Sequence, residues 1–509
     1  MDGTGSEASL FEAGRNCWRV ERAERVGLIV DAAEYFARLR QALLSARRQV
    51  LLIGWDFDFE IEMMPGEGDT APDGMPNQLG DFVEAVVARN PELCLYLLKW
   101  NGAVALAPGR LLPTLALRIW GSDRIRFALD GHHPFGACHH QKIVVVDDAL
   151  AFCGGIDATE ERWDTSEHAP GDPRRVKKDG SPSTPWHDAT AALTGPVAAA
   201  LGDLARMRWE RATGEALEAP GGEPEACWPE GLPTTVRGVR VAIARTEPPY
   251  DDEPLVDEIE RLYLDGIEAA TDVIYLESQY FSAEGVFEAI ERRLQEEGGP
   301  EIVVINPQKA LSPIEDRAVH PLRGRYLERL QRADPGGRFR LWHPVNAAGE
   351  PIYVHAKVMV VDDTLLRIGS SNLDDRSMGF DTECDVAFEG RDSGSRGAIE
   401  TFRLRLLAEH LGVEQEDVAR AWSDEGSLIG GIEALNDGEG RGLRAIERKA
   451  EGPVGRLLAS TRLLDTRYKP GQPSLAGRGV RPRYMAAGLV VLGLGVVALY
   501  AWSRSRRRD

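Results

Sequence analysis

Apolar residues recur at three- and four-residue steps from Ala32 to Arg48, and an unbroken apolar run follows from Val50 to Trp55. The first spacing predicts an amphipathic helix, the second a buried strand. Leu93 to Trp100 and Lys142 to Val146 are further strand candidates, so helices and strands alternate as in an α/β sheet. From about Glu218 to Gly238 the chain turns rich in Pro, Gly and Glu, a composition that suits a connection better than a packed element. Beyond it the order recurs, with helical spacing from Leu255 to Ala270 and strand candidates at Val273 to Glu277 and Glu301 to Ile305.

The last part of the chain has another character. Lys469 to Arg483 is punctuated by Pro470, Gly471, Pro473, Gly477, Gly479 and Pro482, and reads as a tether. Met485 to Trp502 then runs 18 residues without a charge, preceded by Arg481 and Arg483 and followed by Arg504, Arg506, Arg507 and Arg508. That length spans a bilayer, and Tyr500 and Trp502 stand at one border, so a single-pass membrane anchor is expected. Arginines on both flanks leave its orientation open. The pattern divides the chain into a first half at 1–215, a linker at 216–238, a second half at 239–412, an acidic helical extension at 413–468, the tether at 469–484, the transmembrane helix at 485–502 and a basic tail at 503–509.

Composition narrows the function classes. With 509 residues and a 43% hydrophobic fraction the chain has enough material for two fused halves with sizeable cores. A formal charge of -21 repels nucleic acid phosphates at long range and disfavours general nucleic acid binding, although a local basic cleft remains compatible with it. Cys17, Cys94, Cys138, Cys153, Cys227 and Cys384 are scattered without a CxxC pair, so neither a disulfide framework nor a structural zinc site is expected. The opening MDGTGSEASLFEAG has no basic and then apolar region of a secretory signal, which points to a cytoplasmic catalytic part.

The strongest signal is a repeat. HHQKIVVVDDALAFCGGID in the first half aligns without a gap to VHAKVMVVDDTLLRIGSSN in the second. A constant offset of 215 pairs His140 with His355, Lys142 with Lys357, Asp147 with Asp362, Gly154 with Gly369, and Asp157 with Asn372. Residues two apart on a strand share a face, so each copy can present an imidazole and an ammonium side by side on a rigid element. A phosphate group is the anion such a pair suits. Asp188 and Glu383 also recur, each seven residues before a glycine, in DATAALTG and ECDVAFEG. A nucleophilic imidazole needs its second nitrogen held as a donor, and these carboxylates are the candidates for that role. Asp147 and Asp362, five residues after each lysine, are open between a structural ion pair and a substrate contact. His139, His132, His133 and His187 lack counterparts in the second half and stand as substrate-contact candidates.

The two HxKxxxxD segments, each followed by a Gly-rich stretch, resemble the signature of the phospholipase D superfamily. WHDATAALTGP from Trp186 to Pro196 and YLESQYF from Tyr275 to Phe281 are similar to the segments that close the first half and open the second half of those proteins, and the similarity covers most of residues 20 to 410. The resemblance implies an α/β fold: two similar phospholipase D-like α/β sandwich halves packed around one shared active site, here with a C-terminal transmembrane helix. It implies that His140 attacks phosphorus to form a phosphohistidine while His355 protonates the leaving alcohol, with the opposite assignment open. Lys142 and Lys357 hold the nonbridging oxygens, and no metal or other cofactor is required. The chain departs from the pattern at Gly155 and Asp157, where the second copy has Ser370 and Asn372. An ionised aspartate weakens anion binding, so equal phosphate contacts from the four positions are in doubt.

The superfamily includes phospholipases, cardiolipin synthases and nucleases, which the motif does not separate. An anchor and an acidic chain favour a phospholipid substrate, with water or an alcohol as acceptor, over nucleic acid. Hydrolysis giving phosphatidic acid, cardiolipin synthase-type transfer, a nuclease and a noncatalytic scaffold are the readings in that order; intact histidines and lysines weigh against the last. Two histidines that start in opposite protonation states predict a bell-shaped pH profile.

Overall fold

Runs such as QVLLIG, IVVV, VIYLE and VMVV carry no polar interruption on either face, and each is buried from end to end. Such strands belong in the middle of a sheet covered on both sides. The computed structural model describes residues 9–102, 122–221, 228–311, 313–436 and 438–446. It divides into one unit of Met1–His133 with Ala137–Arg467 and a second of Pro134–Gly136 with Tyr468–Asp509. Only Pro134–Gly136 of the second unit is among the described residues.

The first half contributes β1 (Arg19–Val30), β2 (Gln49–Gly54), β3 (Cys94–Trp100), β4 (Ile125–Asp130), β5 (Ile143–Val146), β6 (Leu150–Gly154), β7 (Trp186–His187) and β8 (Ala189–Thr194). The second contributes β9 (Val236–Glu247), β10 (Val256–Asp257), β11 (Val273–Glu277), β12 (Glu301–Ile305), β13 (Phe339–Val345), β14 (Tyr353–Val354), β15 (Val358–Val361), β16 (Leu365–Gly369), β17 (Glu383–Glu389) and β18 (Gly442–Ala445).

The strands of the two halves form one continuous sheet. Its order is β18-β13-β12-β11-β15-β16-β17-β9-β1-β8-β6-β5-β2-β3-β4, with β10 beside β9. The seam is the antiparallel pair β1 and β9, in a register that sets Arg25 opposite Arg237. Moving outward from it, each half repeats the same sequence of pairings: antiparallel as far as β2 or β11, then parallel through β3 and β4 or β12 and β13. The seam is not visible as a strand pattern because β1, RVERAERVGLIV, mixes charged and apolar residues over its first half. One face of the sheet carries an apolar core shared by both halves, from Val26 and Leu28 to Ile243 and Val386, including Leu201 and Leu407 of helices Pro196–Thr213 and Ser393–Leu411. The other face carries a separate core in each half.

The observed elements follow the expected ones closely, with informative differences. The first helix spans Ala32–Ser45, not Ala32 to Arg48, because the amides of Arg47, Arg48 and Gln49 turn to the Asp147 carboxylate. The equivalent helices Pro196–Thr213 and Ser393–Leu411 end at Gly214 and Gly412, whose φ values of 75° and 69° suit glycine. The linker set at 216–238 ends inside β9, which starts at Val236. The extension set at 413–468 as helical has helices Gln415–Glu425 and Leu428–Leu435 and then β18, which completes the sheet edge by pairing antiparallel with β13. Among the described residues no helix is long and apolar enough to cross a membrane. The tether at 469–484, the expected anchor at 485–502 and the basic tail at 503–509 lie outside the described residues.

Candidate active site

Each motif histidine is delivered on the extended lead-in to a four-residue buried strand, His140 and Lys142 ahead of β5, His355 and Lys357 ahead of β15. The two-residue spacing folds each ammonium back beside its histidine: Lys142 Nζ donates to the His140 carbonyl at 2.8 Å, and Lys357 Nζ to the His355 carbonyl. The lead-ins cross into the opposite half. His140 N donates to the carbonyl of Thr382, the residue before Glu383, and His355 N donates to the carbonyl of His187, the residue before Asp188, each at 2.8 Å. The short parallel pair of β7 and β14 holds the second crossing in register.

The side chains follow the backbone. His140 Nδ1 donates to the Glu383 carboxylate at 3.0 and 3.1 Å, and His355 Nδ1 donates to Asp188 Oδ2 at 2.6 Å. Each half thus holds the other half's histidine, and each ring keeps Nε2 for chemistry. Glu383 in turn accepts from Ser370 Oγ and from Ser377 Oγ, the latter at 2.7 Å. Asp188 accepts from the Ala189 amide at 2.8 Å.

The departures at Gly155 and Asp157 have a geometric meaning. A Cβ on Gly155 would lie 2.2 Å from Asp188 Oδ1, so the serine found at position 370 has no room there. Asp157 Oδ2 lies 3.2 Å from Lys142 Nζ, whereas its counterpart Asn372 is neutral. Asp157 Oδ1 and Asn372 Oδ1 are both buried without a hydrogen-bond donor.

Charge is held under strain throughout this constellation. Burial, then repulsion from Lys142 and Lys357, holds His140 well below the ordinary histidine range. Burial, then Lys357, Arg162 and Lys142, does the same to His355. Burial pushes Lys357 down to about 7, Glu383 up to about 8 and Asp188 upward. The two histidines and Lys357 resist their charged form until something anionic enters among them.

Two contributors, Arg162 and Ser377, are not singled out by the sequence. Arg162 stacks its guanidinium 4.2 Å over the Trp186 ring, which lies 5.1 Å from the His355 ring, and its buried Nε has no acceptor. Ser377 supports Glu383 as described. Arg162 has a signal in retrospect: the offset between repeats falls from 215 at Gly154 and Gly369 to 195 at Asp188 and Glu383, so the first half carries 20 extra residues there.

Other candidates are not brought together. Asp147 and Asp362 sit at the far ends of β5 and β15, at φ values of 52° and 50°. The Asp147 carboxylate accepts from the Arg47, Arg48 and Gln49 amides, and that of Asp362 from Thr271, Asp272 and Val273 amides. Through these amides they tie a strand end to the start of its neighbour. His139 lies 3.0 Å from Asp130 and from Thr382 Oγ1, and His133 Nε2 lies 2.9 Å from Asn101 Oδ1; both are occupied by the protein. His132 lies 3.8 Å from Glu253 and packs edge-on to Tyr250, and His187 is buried between Glu277 and Glu409.

Against known proteins, the family profile Phospholipase D matches residues 330–424. The chain is similar to phospholipase D alpha 1 of Vigna unguiculata, 25% identical over 409 residues that cover 56% of this chain and 50% of that protein. It is also similar to phospholipase D A of Dictyostelium discoideum, 22% identical over 475 residues covering 76% of this chain and 36% of that protein. The matches span half or less of the length of these relatives. Among solved structures, a phosphatidylserine synthase of Haemophilus influenzae Rd KW20 shares the fold, with a TM-score of 0.52, 12% identity and coverage of 87% of this chain and 94% of that one.

Proposed function

The chain belongs to the phospholipase D superfamily, and from that premise we propose that it cleaves phospholipid head-group phosphodiesters through a phosphohistidine on His140. The observation that carries this reading is the crossed pair of imidazole and carboxylate dyads, His140 with Glu383 and His355 with Asp188.

A phosphodiester needs its charge neutralised, a nucleophile in line and a proton for the departing oxygen. Lys142, Lys357 and Arg162 supply the first. Neutral His140, its Nδ1–H donated to Glu383 in a hydrogen bond, attacks phosphorus through Nε2; the P–N bond forms as the bond to the head-group alcohol breaks. His355 passes its Nε2 proton to the departing oxygen. The phosphate anion itself prepares this step, because its charge works against the burial and the cationic repulsion that hold His355 low, and Asp188 at 2.6 Å favours the imidazolium. His355, now neutral, takes a proton from water or an alcohol, whose oxygen displaces His140 from phosphorus. Water gives phosphatidic acid and an alcohol gives a new phosphatidyl ester.

Lipid rather than nucleic acid is supported by the net charge of -21 and by the uncharged stretch Met485–Trp502, which in this reading anchors the enzyme to a bilayer. The test is to incubate the purified full chain with labelled phosphatidylcholine, phosphatidylethanolamine and phosphatidylglycerol, with and without added alcohol, and to identify products by mass spectrometry. Phosphatidic acid, or a phosphatidyl ester of the added alcohol, is expected. Cleavage of single-stranded DNA with no lipid product would replace this reading by a nuclease.

A further inference from the structure

Directly behind Asp188 lies a second cluster that the phosphodiester chemistry does not use. Asp31, His168 and His187 come from the first half and are at most 1% exposed; Glu409 comes from helix Ser393–Leu411 of the second, with a side chain 5% exposed. One donor atom from each of the four lies within 4.8 Å of all the others. His187 Nδ1 is 2.7 Å from Glu409 Oε1 and 3.3 Å from Asp31 Oδ1; His168 Nε2 is 3.2 Å from Glu409 Oε1 and 3.8 Å from Asp31 Oδ2. Four ligands about 2.0–2.1 Å from a tetrahedral ion stand roughly 3.3–3.4 Å from one another, so these separations bracket that geometry.

Three further features suit a metal centre. The outer nitrogen of each imidazole is held by a carboxylate, His168 Nδ1 by Asp164 and His187 Nε2 by Glu277, both at 2.9 Å. That arrangement leaves the inner nitrogens as ligands with their lone pairs turned to the centre. Asp31 Oδ2 is buried and has no hydrogen-bond donor. Finally, Asp31, Asp164, Glu277 and Glu409 carry four negative charges in one buried region. Arg175, paired with Asp164 at 3.0 Å, and Arg441, in electrostatic reach of Asp31 and Glu409, answer two of them. The remaining two are balanced either by one divalent cation between neutral imidazoles or by two protonated imidazoles.

We propose that Asp31, His168, His187 and Glu409 bind one divalent transition-metal ion of the zinc class, as a structural centre that joins the two halves behind the active site. A set of two imidazoles and two carboxylates suits zinc, and the full complement of four protein ligands with buried surroundings describes a closed structural site. Its consequence for the reaction is positional. Asp31 N donates to the Asp188 carbonyl at 2.8 Å, Asp31 Oδ1 accepts from the Asp188 amide at 3.2 Å, and His187 precedes Asp188 in the chain. Two ligands of the ion therefore clamp the residue that holds His355.

The full chain, produced in zinc-supplemented cells and desalted, is expected to carry close to one zinc per chain by elemental mass spectrometry. His168→Ala and Glu409→Gln should lose it, while His410→Ala, which changes a neighbour of Glu277, and His355→Ala should keep it. Because a ligand variant can fail to fold, the unmutated protein provides an independent readout: grown with cobalt, it should show the intense visible absorption of a tetrahedral cobalt centre. A parent protein with neither stoichiometric metal nor cobalt bands overturns the proposal in favour of two protonated imidazoles, and metal retained by both ligand variants places it elsewhere. Metal binding by His355→Ala keeps this test separate from the fate of the phosphodiesterase reading.

Discussion

The His140 side and the His355 side of the site share one backbone register but differ in what surrounds each imidazole. Glu383 sits at 3.0 and 3.1 Å from its histidine and receives two serine hydroxyls; Asp188 sits at 2.6 Å, receives one amide and has a glycine where the other side has Ser370. Lys142 faces Asp157, while Lys357 has a neutral asparagine at the equivalent position. The 20 additional residues of the first half bring Arg162 within electrostatic reach of His355. Duplication has kept the groups that chemistry on phosphorus requires and has let the groups that set proton affinity diverge. The two sides therefore differ in what sets proton affinity: at His355 the close Asp188 favours a cation while Arg162 opposes it, and at His140 Asp157 favours one while Lys142 opposes it.

The largest effects should come from the histidines. His140→Ala and His355→Ala are each expected to lower turnover of a natural diester by at least ~10³-fold. With a nitrophenyl phosphodiester, whose leaving group needs no proton, His355→Ala should recover an initial burst and accumulate phosphohistidine, and His140→Ala should not. A burst in His140→Ala instead would reverse the assignment.

Next come the carboxylates. Asp188→Asn should cost about 10²-fold in kcat, and Glu383→Gln about tenfold, since a glutamine keeps partners in Ser370 and Ser377. Equal losses in steady-state assays would mean that the unequal supports do not divide the labour.

A smaller effect is expected from making the lysines alike. Lys357 must be charged to hold phosphate, and burial sets its pKa at about 7, so kcat/KM should fall as pH rises through that value. Asn372→Asp places a carboxylate near Lys357, as Asp157 is near Lys142, and favours the charged form. The alkaline limb of the profile should therefore move up by about one unit, while inorganic phosphate, as a competitive inhibitor, binds more weakly by roughly tenfold. An unmoved limb would detach Lys357 from the pH dependence.

Asp147→Ala and Asp362→Ala should matter least for chemistry. Each leaves three backbone amides without their carboxylate acceptor, which should lower stability by about 2–3 kcal/mol in urea unfolding, with kcat of the folded protein changed less than about twofold. A loss of kcat at full stability would return these aspartates to the site.

Much of this is legible in the chain. The gapless repeat, the two-residue spacing of histidine and lysine, and the alternation of helical and strand patterns are local features, written within a few residues of one another. The same local reading leaves the role of Asp147 and Asp362 open, because the amides they accept from lie about 90 to 100 residues earlier. It also offers His139, His132, His133 and His187 as substrate contacts, whereas the fold sets His139 against Thr382, His132 near Glu253, His133 against Asn101 and His187 against Glu277.

By itself the sequence determined that two equivalent imidazole and ammonium pairs exist, that two carboxylates recur near them, and that the chain folds as alternating helices and strands. Only the tertiary structure decided that Glu383 serves His140 and Asp188 serves His355, that β1 and β9 fuse the halves into one sheet, and that Asp31, His168, His187 and Glu409 meet. The physical reason is that spacing along a strand is set by bonded geometry, whereas the crossing is set by which backbone amides in one half find carbonyls in the other, here Thr382 and His187.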